Sequence, residues 1–83
     1  MPPAPEPRFS ISQLARELGL TPRSIRYYEE RGLVAPGRTA GGQRFYGKRD
    51  RARLKLILRG RRFGYSLEEI AGMIGLTDAE LGE

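Results

Sequence analysis

Eighty-three residues with no tryptophan make one small domain with a modest core. Without cysteine or histidine the chain offers no disulfide framework, no thiolate or imidazole for zinc and no histidine acid–base pair, so it does not read as an enzyme, and no metal, cofactor or catalytic residue is expected. The net charge of +5 hides two unlike parts: residues 8–62 hold all fifteen Lys and Arg against four acids, a net +11, while residues 63–83 hold five acids and no base. A block that basic suits a polyanion.

The opening Met-Pro-Pro-Ala-Pro-Glu-Pro lacks the basic and apolar regions of a secretion signal. Residues 1–8 read as a flexible proline-rich leader. No apolar run approaches the roughly 18–20 residues of a membrane span, so a cytoplasmic location without membrane contact is expected.

Ser12 is placed to cap a first helix, with Ile11, Leu14, Ala15 and Leu18 as its buried stripe and Gly19 as its stop. Thr21 and Pro22 then start a second helix over 22–31. The Thr oxygen can accept an otherwise unpaired amide, and Pro has no amide to leave unpaired. Gly32 ends it. Ile25 and Tyr28 fall on one side of this helix and Arg23, Arg26 and Tyr27 on the other. Two short helices joined by a glycine-containing turn follow the helix-turn-helix plan, whose second helix enters the major groove.

Pro36 and Gly37 break any helix, and Ala40-Gly-Gly-Gln43 reads as the tip of a small hairpin, a wing, with Arg38 and Arg44 on its arms. Phe45 is expected to anchor the wing to the core. A third helix runs from Lys48 to Arg62 with Leu54, Ile57 and Leu58 inward and Leu56 broadening the stripe. Gly60 inside it costs roughly 1 kcal/mol relative to Ala, so close packing is its expected role. Gly64 ends that helix. Ser66-Leu-Glu-Glu69 is a capping box opening a fourth, with Leu67, Ile70, Ala71 and Ile74 inward. Thr77-Asp-Ala-Glu80 is a second capping box, so residues 77–83 read as a fifth helix, a dimerisation helix cut short, or as linker.

Ile25-Arg-Tyr-Tyr-Glu29 with Gly32-Leu33 and Pro36, then Arg44-Phe-Tyr46, then Gly64-Tyr-Ser-Leu-Glu-Glu-Ile70, closely resembles the DNA-binding domain of the MerR family of bacterial transcription regulators, over residues 9–76. The resemblance implies a mainly α winged helix-turn-helix, four helices with a small β-hairpin wing. It implies sequence-specific binding of double-stranded promoter DNA, with RNA polymerase as a partner at the promoter. It also implies a homodimer joined by a long helix after the fourth, which this chain lacks together with any effector domain; the fragment alone would be a monomer. Gly47 departs from the family's Ser or Thr at the start of the third helix. The run Arg53–Arg62 is similar to regulators of branched-chain amino acid and acyl-CoA catabolism within the family.

The expected DNA-binding residues are Thr21, Arg23, Arg26 and Tyr27 on the second helix, Arg38, Arg44 and Tyr46 on the wing, and Arg59, Arg61 and Arg62 at the end of the third helix. Phosphate contacts supply affinity and register, and base contacts supply sequence choice. Lys48, Arg49, Arg51 and Arg53 are mostly explained as a solvated face. Two other readings are an excisionase-like or recombinase-targeting accessory domain, and a protein-interaction module whose basic face meets an acidic partner.

Overall fold

The computed structural model describes the backbone of residues 7–80 and side chains within residues 7–75. Most of the leader assigned to residues 1–8, and the last three residues, lie outside the described part. Four helices and one hairpin follow in order: α1 (Ile11–Leu18), α2 (Pro22–Glu30), β1 (Gly37–Arg38), β2 (Arg44–Phe45), α3 (Lys48–Arg62) and α4 (Leu67–Glu80). Among the described residues no helix is long and apolar enough to cross a membrane.

The helix starts follow local chemistry. Ser10, not Ser12, caps α1: its extended backbone lets its oxygen accept the Gln13 amide at 3.0 Å, while the Gln13 side chain accepts the Ser10 amide at 2.7 Å. The reciprocal box Ser10-Ile-Ser-Gln13 outcompetes a lone Ser12 because it satisfies two amides at once. Thr21 caps α2 by accepting the Ser24 amide at 3.1 Å. Ser66 and Glu69 form the expected box on α4. Gly47 supplies no side-chain cap to α3.

The end of α2 is closed by two bonds that turn the chain back. The Leu33 amide donates to the Tyr28 carbonyl and the Gly32 amide to that of Glu29, both at 2.9 Å. This geometry requires a left-handed residue, and Gly32 supplies it at φ 78°. The same six-to-one bond closes α1, from Leu20 to Ala15, and α3, from Tyr65 to Gly60.

One core collects side chains from every helix and from the wing: Leu14, Ile25, Val34, Tyr46, Leu54, Ile57 and Ile70 are all essentially inaccessible. The inward stripe of α3 is Asp50, Leu54, Ile57 and Gly60. Leu58 sits about 100° further round the helix than Ile57 and does not join the core; it lines a shallow surface hollow with Lys55, Arg59, Arg62 and Phe63. Leu56 packs against the core in its place. The expected break before Thr77 is absent too: α4 runs on through Glu80. Gly75 would have to turn left-handed to end it there, and its φ is not positive.

Gly60 confirms the close-packing role. A Cβ on it would lie 2.7 Å from Cγ1 and 2.8 Å from Cδ1 of the fully buried Ile70. Gly60→Ala is therefore expected to destabilise the domain by about 1–2 kcal/mol, because overpacking outweighs the gain in helix propensity. Adding Ile70→Val should recover part of that loss; urea unfolding of the single and double variants checks both. Gly47→Ser has the opposite sign. Its Cβ meets nothing within 4 Å, and a restored cap should add up to about 1 kcal/mol, seen as a melting-temperature rise of a few degrees.

Candidate nucleic-acid interface

Helix α2 is fixed from behind and open in front. Ile25 is inaccessible and Tyr28 is 8% exposed, so the inner face is locked into the core. Arg23, Arg26 and Tyr27 project from the other face, with the Tyr27 ring 46% exposed. Tyr27 leans on Tyr28, their ring centres 5.9 Å apart and tilted by 58°. Among the described residues neither Arg23 nor Arg26 has an ion-pair partner, and Arg26 does not close the i, i+4 pair with Glu30. These two cations project without a carboxylate to neutralise them. Thr21 stays exposed, its hydroxyl engaged with Ser24.

The wing is a two-stranded antiparallel ribbon with Gly37 opposite Phe45 and Arg38 opposite Arg44. Its tip is held by the Gly42 amide on the Thr39 carbonyl and the Thr39 amide on the Gln43 carbonyl, both at 2.9 Å. Two arginines directly across a ladder repel each other, so each is steadied by an acceptor. Arg38 Nη1 donates to the Gly42 carbonyl at 3.1 Å. Arg44 Nε donates to Glu29 Oε1 of α2 at 2.9 Å, both side chains being about a third exposed or less. That pair ties the wing to the helix beside it, and among the described residues the Arg44 terminal nitrogens have no hydrogen-bond acceptor.

Side chains alternate along β2. Arg44 and Tyr46 therefore share the face turned toward α2, and Phe45 takes the other. This corrects two expectations. Tyr46 is fully buried, its backbone paired in both directions with Phe9 at 2.8 and 2.9 Å, and it cannot reach a ligand. Burial pushes its phenol above the ordinary range, and among the described residues its hydroxyl has no hydrogen-bond partner. Tyr46, rather than the expected Phe45, anchors the wing to the core. Phe45 instead lies half-buried across Gly37, where a Cβ would stand 2.4 Å from the ring.

At the far end of α3, Arg59, Arg61 and Arg62 are all exposed. Arg59 and Arg62 share the hollow with Lys55, while Arg61 lies apart on the helix surface. Cations suit that helix terminus on dipole grounds alone. Two exposed aromatics beside them were not anticipated: Phe63 at 75% and Tyr65 at 47%. The run Phe63-Gly-Tyr65 reads as a turn, and nothing in its spacing tells an outward ring from an inward one. Arg51 belongs to the fold. It bonds Glu17 of α1 through Nε at 2.8 and 3.0 Å, and this bond lowers the Glu17 carboxyl below its usual value.

The wing itself is positioned by one buried carboxylate. Asp50, 7% exposed, accepts the Ala35 amide on Oδ1 at 2.9 Å and the Gly47 amide on Oδ2 at 3.1 Å. Those two residues flank the hairpin.

A helix-turn-helix followed by a hairpin braced against its second helix defines a winged helix-turn-helix domain. Residues 9–76 match the MerR HTH family of regulatory proteins, and the chain belongs to the MerR family. An uncharacterised HTH-type transcriptional regulator of Pseudomonas aeruginosa is 43% identical over 69 residues, covering 82% of this chain and 52% of that protein. The HTH-type transcriptional regulator CueR of Vibrio cholerae is 44% identical over 71 residues, covering 84% and 51%. The chain spans about half the length of the curated relatives it matches. Among solved structures, a MerR-family regulator from Bacillus cereus superposes with a TM-score of 0.77 at 36% identity, covering 82% of this chain and 52% of the other. HiNmlR, a MerR family regulator lacking the sensor domain and bound to promoter DNA, superposes with the same score at 24% identity, over 93% and 58%, and shows the shared fold.

Asp50→Ala leaves two part-buried amides without acceptors and is expected to cost about 2–4 kcal/mol. Asp50→Asn keeps one acceptor and turns a donor onto the other amide, so it should fall between wild type and Ala in chemical denaturation. Loss of amide-exchange protection at Ala35 and Gly47 in both variants would locate the effect.

Proposed function

We propose that this chain is the sequence-reading domain of a bacterial transcription regulator that binds double-stranded promoter DNA. The observation that carries this reading is the exposed face of α2. Arg23, Arg26 and Tyr27 stand side by side without a carboxylate partner among the described residues, on a helix whose reverse face is locked into the core. Guanidiniums on a helix face match guanine edges and phosphates. The names of the relatives and the promoter DNA of the HiNmlR structure support the assignment.

In this reading α2 lies in the major groove. Thr21 touches a phosphate near the helix start, and Arg38 and Arg44 hold the backbone beside it. Arg59, Arg61 and Arg62, with Tyr65 joining them, meet phosphate further along. The whole protein acts as a homodimer that presents two such domains to successive half-sites, with RNA polymerase at the same promoter and no membrane partner. The setting is the bacterial cytoplasm, and no step calls for catalysis or a cofactor within this domain.

Arg23→Ala and Arg38→Ala separate the two kinds of contact. Selection of bound sequences from a random duplex pool should show Arg23→Ala relaxing preference at one or two base pairs, by roughly 1–3 kcal/mol for a bidentate contact. Arg38→Ala should weaken binding to every sequence and reduce the salt dependence by about one unit of slope. Equal losses on selected and random DNA for both variants would contradict this division of labour.

A further inference from the structure

The wing's outer face carries a third arginine that sequence reading passed over. Arg8 Cζ sits 4.3 Å from the centre of the Phe45 ring. The ring is fixed from the other side: it folds over Gly37, its cross-strand partner, into space that any side chain there would fill. The backbone next to Arg8 is fixed as well, because Phe9 exchanges both hydrogen bonds with Tyr46. Arg8 is nevertheless exposed and has no ion-pair partner among the described residues.

Stacking uses the flat face of a guanidinium and leaves its N–H edge open. An arginine held this way has already lost much of its rotamer freedom, so less is lost when a planar oxyanion meets that edge. Alternation along β2 puts Phe45, and with it Arg8, on the face opposite the Arg38–Arg44 pair. The hairpin therefore carries cations on both faces.

We propose that Arg8 binds a DNA phosphate on the outer face of the wing, separate from any phosphate met by Arg38 and Arg44, so that the hairpin holds the backbone from two sides. This rests on the DNA-binding reading above. The test is fluorescence anisotropy of the full chain with a labelled random-sequence duplex across a salt series. Arg8→Ala should lower the slope of log affinity against log salt by about 0.9 and weaken binding roughly five- to tenfold at 0.1 M salt. Phe45→Leu should weaken binding less and keep the slope, since the charge stays and only its orientation is lost. Arg8→Ala with Arg38→Ala should lower the slope by about 1.8.

A purely structural Arg8 would lower the melting temperature and leave the slope at the wild-type value; that result overturns the proposal and leaves DNA binding standing. A double variant no lower in slope than either single one means a shared phosphate, and it overturns the two-sided grip. Absence of salt-dependent binding by the wild-type chain overturns the DNA-binding reading and this one together.

Discussion

The structure depends on one buried carboxylate. Asp50 is the third residue of α3, in its first turn, and gathers the amides of Ala35 and Gly47, the residues that bracket the hairpin. A carboxylate out of water is costly unless it is hydrogen-bonded, and the positive end of a helix offsets more of that cost. Both conditions hold here. The wing has only two residues in each strand, and a two-stranded ribbon of that size does not stand alone. Its position relative to α2 is set by what grips its ends, and Asp50 grips both.

The rest of the interface is arranged around that clamp. Tyr46 anchors the inner face of the hairpin in the core, and Arg44 binds Glu29 at the rim. Together they lock the hairpin against α2 at a fixed spacing. The electrostatics are sorted in the same way. Arg51 and Arg44 have carboxylate partners on neighbouring elements, whereas Arg23, Arg26 and Arg38 are exposed and have none among the described residues.

Much of this was legible in the sequence because it is written in local chemistry. Helices α2 and α3, the glycine stops, the hairpin tip and the close approach at Gly60 each rest on a residue type with one physical use. The departures come from competition that a single position does not reveal. Ser12 lost to Ser10 because a reciprocal partner three residues on outweighs a lone hydroxyl. Tyr46, not Phe45, is the core anchor because the alternation of a two-residue strand is decided by Phe9, thirty-seven positions away in the chain. Leu58 was read inward from its neighbours, yet the buried stripe of α3 runs through Asp50 and Gly60, a charged and a small residue that hydrophobic patterning passes over. Arg8 was hidden because its meaning depends entirely on the ring beneath it.

The Gly60–Ile70 contact has a mechanical meaning. With no side chain on Gly60, the Ile70 side chain of α4 rests directly on the backbone of α3, and the junction of the two helices is a closely packed elbow. Helix α4 continues unbroken from that elbow to Glu80. The hydrogen atom that Gly60 carries in place of a side chain is what lets α4 pack this tightly against the corner from Arg59 to Tyr65.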